Sequence, residues 1–161
     1  MPIRLTFLLA AAVLFAGCSH APAAGAQTPV HWTAAPATIA ANGTGHVTLS
    51  AKIDDGWHIY AVTQGPGGPV PTRFTLATGQ PLSLGGDPTV SPAPKTEMDE
   101  SFGIPVQMHE RHATFTIPVK VAAGAHPDSV HVRARYQACN ASLCLPPQTA
   151  QLSAPVAKGG R

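Results

Sequence analysis

Charged residues are scarce in this sequence: 10 Lys or Arg and 8 Asp or Glu in 161 residues, a formal net charge of +2. That balance leaves no basic footprint for nucleic acid, and no local cluster of Lys or Arg supplies one. A sustained helical period is missing as well, which argues against a helical bundle. Beyond the first 17 residues, no apolar run is long enough to cross a bilayer as a helix. A transmembrane electron path is therefore not expected within this sequence. Familiar catalytic signatures are also absent. There is no Gly-x-Ser-x-Gly nucleophile elbow. Gly65-Pro66-Gly67-Gly68-Pro69 is followed by neither Lys-Ser nor Lys-Thr, and its prolines remove the amide donors a phosphate loop needs. In His109-Glu110-Arg111-His112 the second histidine comes one residue too early for the helical zinc motif. Met98, Met108 and His109 are soft enough for copper(I), but they are scattered along the sequence. No metal site and no cofactor are assigned.

Glycine and proline are abundant, with 15 and 17 copies. With so few charges, this composition suits an all-β domain with many turns. Residues 46–53 alternate as a strand: Val47, Leu49, Ala51 and Ile53 share one face, and His46, Thr48, Ser50 and Lys52 the other. Further strands are expected at 57–62, 73–76, 81–84, 112–121, 130–136 and 149–156. Residues 130–136 give the cleanest pattern, with Val130, Val132, Ala134 and Tyr136 opposite His131, Arg133 and Arg135. Pro118 marks an edge or a strand end. Residues 87–99 read as a long polar loop with three prolines, and 97–101 as at most one helical turn. Short strands with turn signals between them indicate a β-sandwich or barrel.

The N-terminus carries a secretion signal. Arg4 precedes an apolar stretch over residues 5–16 that is too short for a stable membrane anchor. It ends in Leu14-Phe15-Ala16-Gly17-Cys18, which resembles a bacterial lipobox. The resemblance implies a lipoprotein signal peptide over 1–17 and lipidation at Cys18, with Ser19 following. An ordinary signal peptide cut after Ala24 or Ala26 is the other reading. Either way the destination is the cell envelope, facing the periplasm, with the outer membrane favoured for the lipidated form. Residues 18–34 are rich in Ala, Pro and Gly and read as a flexible tether, with an ordered strand near residues 30–33 as the other reading. The folded domain is expected over 35–156, with a disordered tail at 157–161.

Of three cysteines, Cys18 is thus accounted for, and Cys139 and Cys144 remain. They sit in Tyr136-Gln137-Ala138-Cys139-Asn140-Ala141-Ser142-Leu143-Cys144-Leu145-Pro146-Pro147. A bridge this short is a poor staple. The chain-entropy model gives it about 2 kcal/mol, against about 4.7 kcal/mol for a hundred-residue loop. The envelope is a compartment where disulfides form and persist. Two readings stay open: a disulfide that opens and closes, or a static one that pins a hairpin.

The segment from Tyr136 to Thr149 resembles the cysteine motif of the N-terminal periplasmic domain of thiol:disulfide interchange proteins of the DsbD type. Tyrosine and glutamine stand just before the first cysteine, and two prolines follow the second. Asp55-Gly56-Trp57-His58-Ile59-Tyr60, with Pro71-Thr72 beyond a Gly/Pro loop, is a second match. Ser101-Phe102-Gly103 with Ile117-Pro118-Val119 is a weaker third. The cysteine spacing is one residue shorter than in the best-known member.

The resemblance implies an immunoglobulin-like β-sandwich in which Cys139 and Cys144 shuttle reducing equivalents. It implies Cys144 in the mixed disulfide and Cys139 as the resolving thiol. Thioredoxin-like periplasmic proteins would be donor and acceptor, with a separate membrane electron-transfer protein upstream. Phe102 would belong to a cap loop over the cysteines. His58 and Tyr60 share one strand face; beside the cysteines, His58 would accept a thiol proton and Tyr60 would hydrogen-bond a sulfur. Tyr136 completes the expected surround. Arg133 and Arg135 are the nearby cations, with their reach to the sulfurs undetermined. The alternative function is a non-catalytic envelope binding module with a structural disulfide and a possible link to copper.

Overall fold

The structure is a computed structural model that describes residues 28–100 and 102–157. The expected signal peptide, Cys18, the expected tether up to residue 27, and Ser101 lie outside the described residues. All regular structure among the described residues is β. It comprises β1 (Val30–Ala34), β2 (Thr38–Ile39), β3 (Thr44–Ile53), β4 (His58–Tyr60), β5 (Arg73–Leu76), β6 (Leu82–Leu84) and β7 (Thr89–Ser91). There follow β8 (Lys95–Asp99), β9 (Ile104–Glu110), β10 (His112–Val121), β11 (Ser129–Tyr136), β12 (Ala138–Cys139) and β13 (Gln148–Pro155).

Three antiparallel sheets result. The largest runs β1-β3-β10-β6, with β2 added on β3 and β7 on β10; the second runs β13-β11-β5; the third runs β12-β4-β9-β8. The first two form an immunoglobulin-like sandwich. Alternation along β3 and β10 buries Val47, Leu49, Ala51 and Ile53 together with Ala113, Phe115, Ile117 and Val119. The second sheet answers with Val130, Val132, Ala134 and Tyr136 on β11, Phe74 on β5 and Ala154 on β13. His131, Arg133 and Arg135 point to solvent. Each strand buries every second residue because side chains alternate across a pleated sheet.

Several expectations are corrected. Residues 30–34, assigned to the tether, form β1 and pair with β3 from Val30↔Ile53 to Ala34↔Leu49. Trp32 explains why: its ring packs against Phe74, Phe115 and Tyr136, with centroids 6.1, 5.7 and 5.5 Å away. At the other end Ala157, expected in the tail, donates its N–H to the Ala37 carbonyl at 2.8 Å. Residues 158–161 lie outside the described residues. The polar loop expected at 87–99 contains two edge strands, β7 on β10 and β8 on β9. Nearly all of β8 is exposed, so it carries no apolar alternation to announce it. The same strand takes up residues 97–99 of the helical turn expected at 97–101.

Pro118 sits within β10, opposite His46 of β3. Its carbonyl accepts from the Gly85 N–H at 2.8 Å. In a strand the missing N–H lies on that same side, so it points to where β7 gives way to β6 and not into the β3 ladder.

Candidate redox site

The third sheet positions the cysteines. Residues 138–139 continue the chain from β11 as β12, and β12 pairs with β4 so that Cys139 lies opposite His58. The chain then reverses in a compact turn. The Asn140 N–H donates to the Leu143 carbonyl at 2.9 Å. The Asn140 side-chain oxygen accepts from the amides of Ser142 and Leu143 at 2.9 and 2.8 Å. Asparagine favours such a turn because its side chain satisfies the backbone two and three residues on. The Leu145 N–H closes the turn onto the Ala138 carbonyl at 2.9 Å, and Gln137 Nε2 donates to the Leu145 carbonyl at 3.2 Å. This geometry brings Cys144 back beside Cys139, and the two form a disulfide with an Sγ–Sγ distance of 2.03 Å. Pro146 and Pro147 then carry the chain into β13.

The two sulfurs' residues differ in exposure. Cys139 is 1% exposed and packs in a small apolar cluster with Tyr60, Val106 and Met108. Cys144 is partly exposed and flanks that cluster with Phe102 and Ile104. The pair opens onto a cleft also lined by His58, Met98, Met108, Glu97 and Glu110. In its lining Met98 is 64% exposed; Leu143, on the turn between the cysteines, is 49% exposed and borders a separate depression with His31 and Trp57.

His58 and Tyr60 therefore stand beside the cysteines on one strand face, their rings edge to face at 5.1 Å. Burial pushes the His58 pKa below its ordinary value, against the opposing pull of Asp99, Glu110 and Glu97. Its Nε2 is buried without a hydrogen-bond partner among the described residues. Tyr60 behaves differently from the expectation. Its hydroxyl donates to Asp99 Oδ2 at 2.8 Å, so its single proton is committed to a carboxylate and not to a sulfur. Burial first, and then this hydrogen bond, holds the phenol well above its ordinary pKa.

Phe102 lies edge-on to Tyr60, with centroids 6.2 Å apart. Tyr136 is corrected out of the site. It is buried in the main core against Trp32, and its hydroxyl donates to Gln148 at 2.9 Å. Arg133 and Arg135 lie on the exposed face of β11 and do not line the cleft. The charged side chains that do line it are Glu97, Asp99, Glu100 and Glu110. Lys95 bonds Glu110 from the neighbouring edge strand at 2.6 Å, which lowers the Glu110 pKa.

Met98 and Met108 both border the cleft, but the β8–β9 register sets Met98 opposite Pro105 and Met108 opposite Lys95, so their side chains leave opposite faces of that pair. His109 points elsewhere. It is 3% exposed and stacks edge to face on Phe115 at 5.6 Å.

The structure is thus a β-sandwich that carries a closely spaced cysteine pair in a cleft of its own, apart from the main core. The sequence matches the family model for the N-terminal region of thiol:disulfide interchange protein DsbD over residues 26–155, and the chain belongs to that family. Two solved structures share the fold. The N-terminal periplasmic domain of ScsB from Proteus mirabilis superposes with a TM-score of 0.57 at 21% identity, over 79% of this chain and 45% of that one. The reduced N-terminal domain of DsbD from Neisseria meningitidis gives a TM-score of 0.50 at 21% identity, over 74% of this chain and 81% of that one. The chain thus spans less than half the length of the ScsB chain. No curated protein matches the sequence.

Proposed function

We propose that this domain passes reducing equivalents between thioredoxin-like proteins of the bacterial periplasm through Cys139 and Cys144. The observation that carries the reading is the unequal burial of a short-range pair: both cysteines border the cleft, but Cys139 is 1% exposed while Cys144 is partly exposed. An incoming thiolate attacks the Cys144 sulfur. The bond between Cys144 and Cys139 breaks, and Cys139 leaves as the thiolate. The partner's second thiol then attacks its own sulfur in the mixed disulfide and releases Cys144. The partner dithiol is oxidised to a disulfide, and the domain gains two electrons and two protons. The domain discharges by the reverse sequence, with Cys144 attacking and Cys139 resolving.

Within this reading His58 serves as the proton acceptor. It faces Cys139 across the β4–β12 pairing, and burial favours its neutral form. Phe102 and the segment around it cap the cysteines until a partner docks. Lipidation at Cys18 anchors the domain to the envelope through the residues before β1, and a separate membrane protein supplies the electrons.

The test is trapping. Cys139→Ala leaves Cys144 as the docking thiol without a resolving partner. It is expected to hold thioredoxin-like envelope proteins in mixed disulfides, while Cys144→Ala traps far fewer. Equal trapping by both variants, or none by either, contradicts the assignment.

A further inference from the structure

The chain enters the folded domain beside the cysteines. The Pro29 carbonyl accepts from the Asp54 N–H at 2.9 Å, just past the end of β3, and β1 begins at the next residue. Thr28 and Pro29 border one depression with Trp57 and with Asn140 and Leu143 of the turn between the cysteines. Trp57 directly precedes His58, which lies opposite Cys139. The last strand finishes at the opposite end of the sandwich. There Val156 borders a depression with Asn42 and Gly43, just before β3 begins, and its N–H donates to the Asp128 carbonyl at 2.8 Å. The 10 residues of β3 run from that end to the cysteine end. At about 3.3 Å per residue they set the two ends about 33 Å apart.

We propose that anchoring through Cys18 holds the cysteine end of the domain, and not the opposite end, at the membrane surface, and so matches Cys144 to dithiol proteins held at that same membrane. The inference rests on the exchange reading and on lipidation at Cys18. The argument is one of reach. Thr28 lies ten residues beyond Cys18, a span of at most about 36 Å. Because the chain enters beside the cysteine turn, the cleft explores little more than that span from the lipid. Entry at the opposite end would add the length of the sandwich and roughly double the reach. Effective concentration falls roughly as the third power of reach, which is the −3/2 power of linker length, so doubling the reach dilutes the cleft about eightfold. A partner free in solution gains nothing from either placement. The partner class that benefits is a protein anchored to the same bilayer, with its reactive thiols near the lipid surface.

The test moves the anchor. With Cys139 and Cys144 in their disulfide, Cys18 is the one free thiol of the three cysteines. The oxidised mature chain can therefore be coupled through Cys18 to a maleimide phospholipid in phosphatidylcholine vesicles. The comparison protein carries Cys18→Ser and a cysteine added ten residues beyond Ala157, coupled in the same way, so that the tether lengths are equal. Each is reduced by thioredoxin held on the same vesicles through a hexahistidine tag and a nickel-chelating lipid, and separately by untagged thioredoxin. Rates are read by thiol alkylation and mass. Vesicle-held thioredoxin is expected to reduce the Cys18-anchored protein about fivefold faster than the other. Untagged thioredoxin should reduce both at rates within about twofold. Equal rates with vesicle-held thioredoxin, or a faster reaction from the far-end anchor, overturn the placement alone. No reduction of either protein by either thioredoxin overturns the exchange reading and the placement together. The mass of the natural protein extracted from bacterial envelopes tests the anchor itself: a mature chain without lipid on Cys18 overturns the anchor, and the placement with it.

Discussion

Two apolar clusters hold this domain together, and they are built to different rules. The sandwich core is interlocked and almost wholly apolar, with Val47, Leu49, Phe115, Ile117, Val130 and Val132 each 1% exposed or less. The cysteine cluster is small, and polar groups adjoin it. Tyr60, Val106, Met108 and Cys139 are buried, but Phe102, Ile104 and Cys144 are only partly covered, and Asp99 and His58 lie alongside. A core of the first kind resists opening because opening exposes much apolar surface at once. A patch of the second kind can open locally at modest cost, which is where binding and gating segments are drawn from. The third sheet thus sets the cysteine cluster apart from the interlocked core.

The largest effect expected from breaking this contrast lies in the main core. Phe115→Ala should lower unfolding free energy by about 3–5 kcal/mol in a denaturant titration, because a fully buried aromatic leaves a cavity. Phe102→Ala should cost less than half as much in the same titration, since its ring is only partly buried. A Phe102→Ala cost equal to that of Phe115→Ala would erase the distinction between the clusters.

Acidification comes next. His109 is buried against the main core, and burial lowers its pKa below the ordinary 6.5. As pH falls through 6.5 the unfolded chain takes up the proton before the folded one does. The stability is therefore complete above that pH and declines below it. Denaturant midpoints at pH 7.5 and 5.0 should show a drop that is smaller in His109→Asn. An equal drop in both proteins would remove His109 from the account. His58 shifts in the same direction, so some residual dependence should remain in the variant.

The smallest effect is expected at Arg133. It is exposed on β11, away from the cleft. Arg133→Gln should change stability by less than about 0.5 kcal/mol and leave the dithiothreitol reduction rate unchanged. A marked slowing would show that the cation reaches the sulfurs after all.

The sandwich was legible wherever a strand has one wet and one dry face. β3, β10 and β11 announce themselves by strict alternation. β9 alternates too, with Ile104, Val106 and Met108 on one side, and that signal was available but unread. β8 was hidden because an edge strand exposed on both faces has no hydrophobic pattern to show, and β7 because three residues with only Val90 turned to the core are too few to show one. β1 was masked by the Ala- and Pro-rich composition around it, although Trp32 was the cue. At the site, the cysteine pair and the shared face of His58 and Tyr60 followed from local spacing. The meeting of Asp99 with Tyr60 depends on the β8–β9–β4 register, which joins segments some 40 residues apart. No local pattern encodes that. Tyr136 misled because its place in the resembling motif was taken as a place at the site, whereas its ring packs in the main core against Trp32.

The central claim is that Cys139–Cys144 opens and closes in use. Its most direct test is the equilibrium reduction potential of the pair, titrated against a dithiothreitol redox buffer and read by alkylation and mass. The account predicts a value of about −200 to −270 mV, the range of exchange proteins. A value well below about −300 mV, where structural disulfides lie, would contradict it.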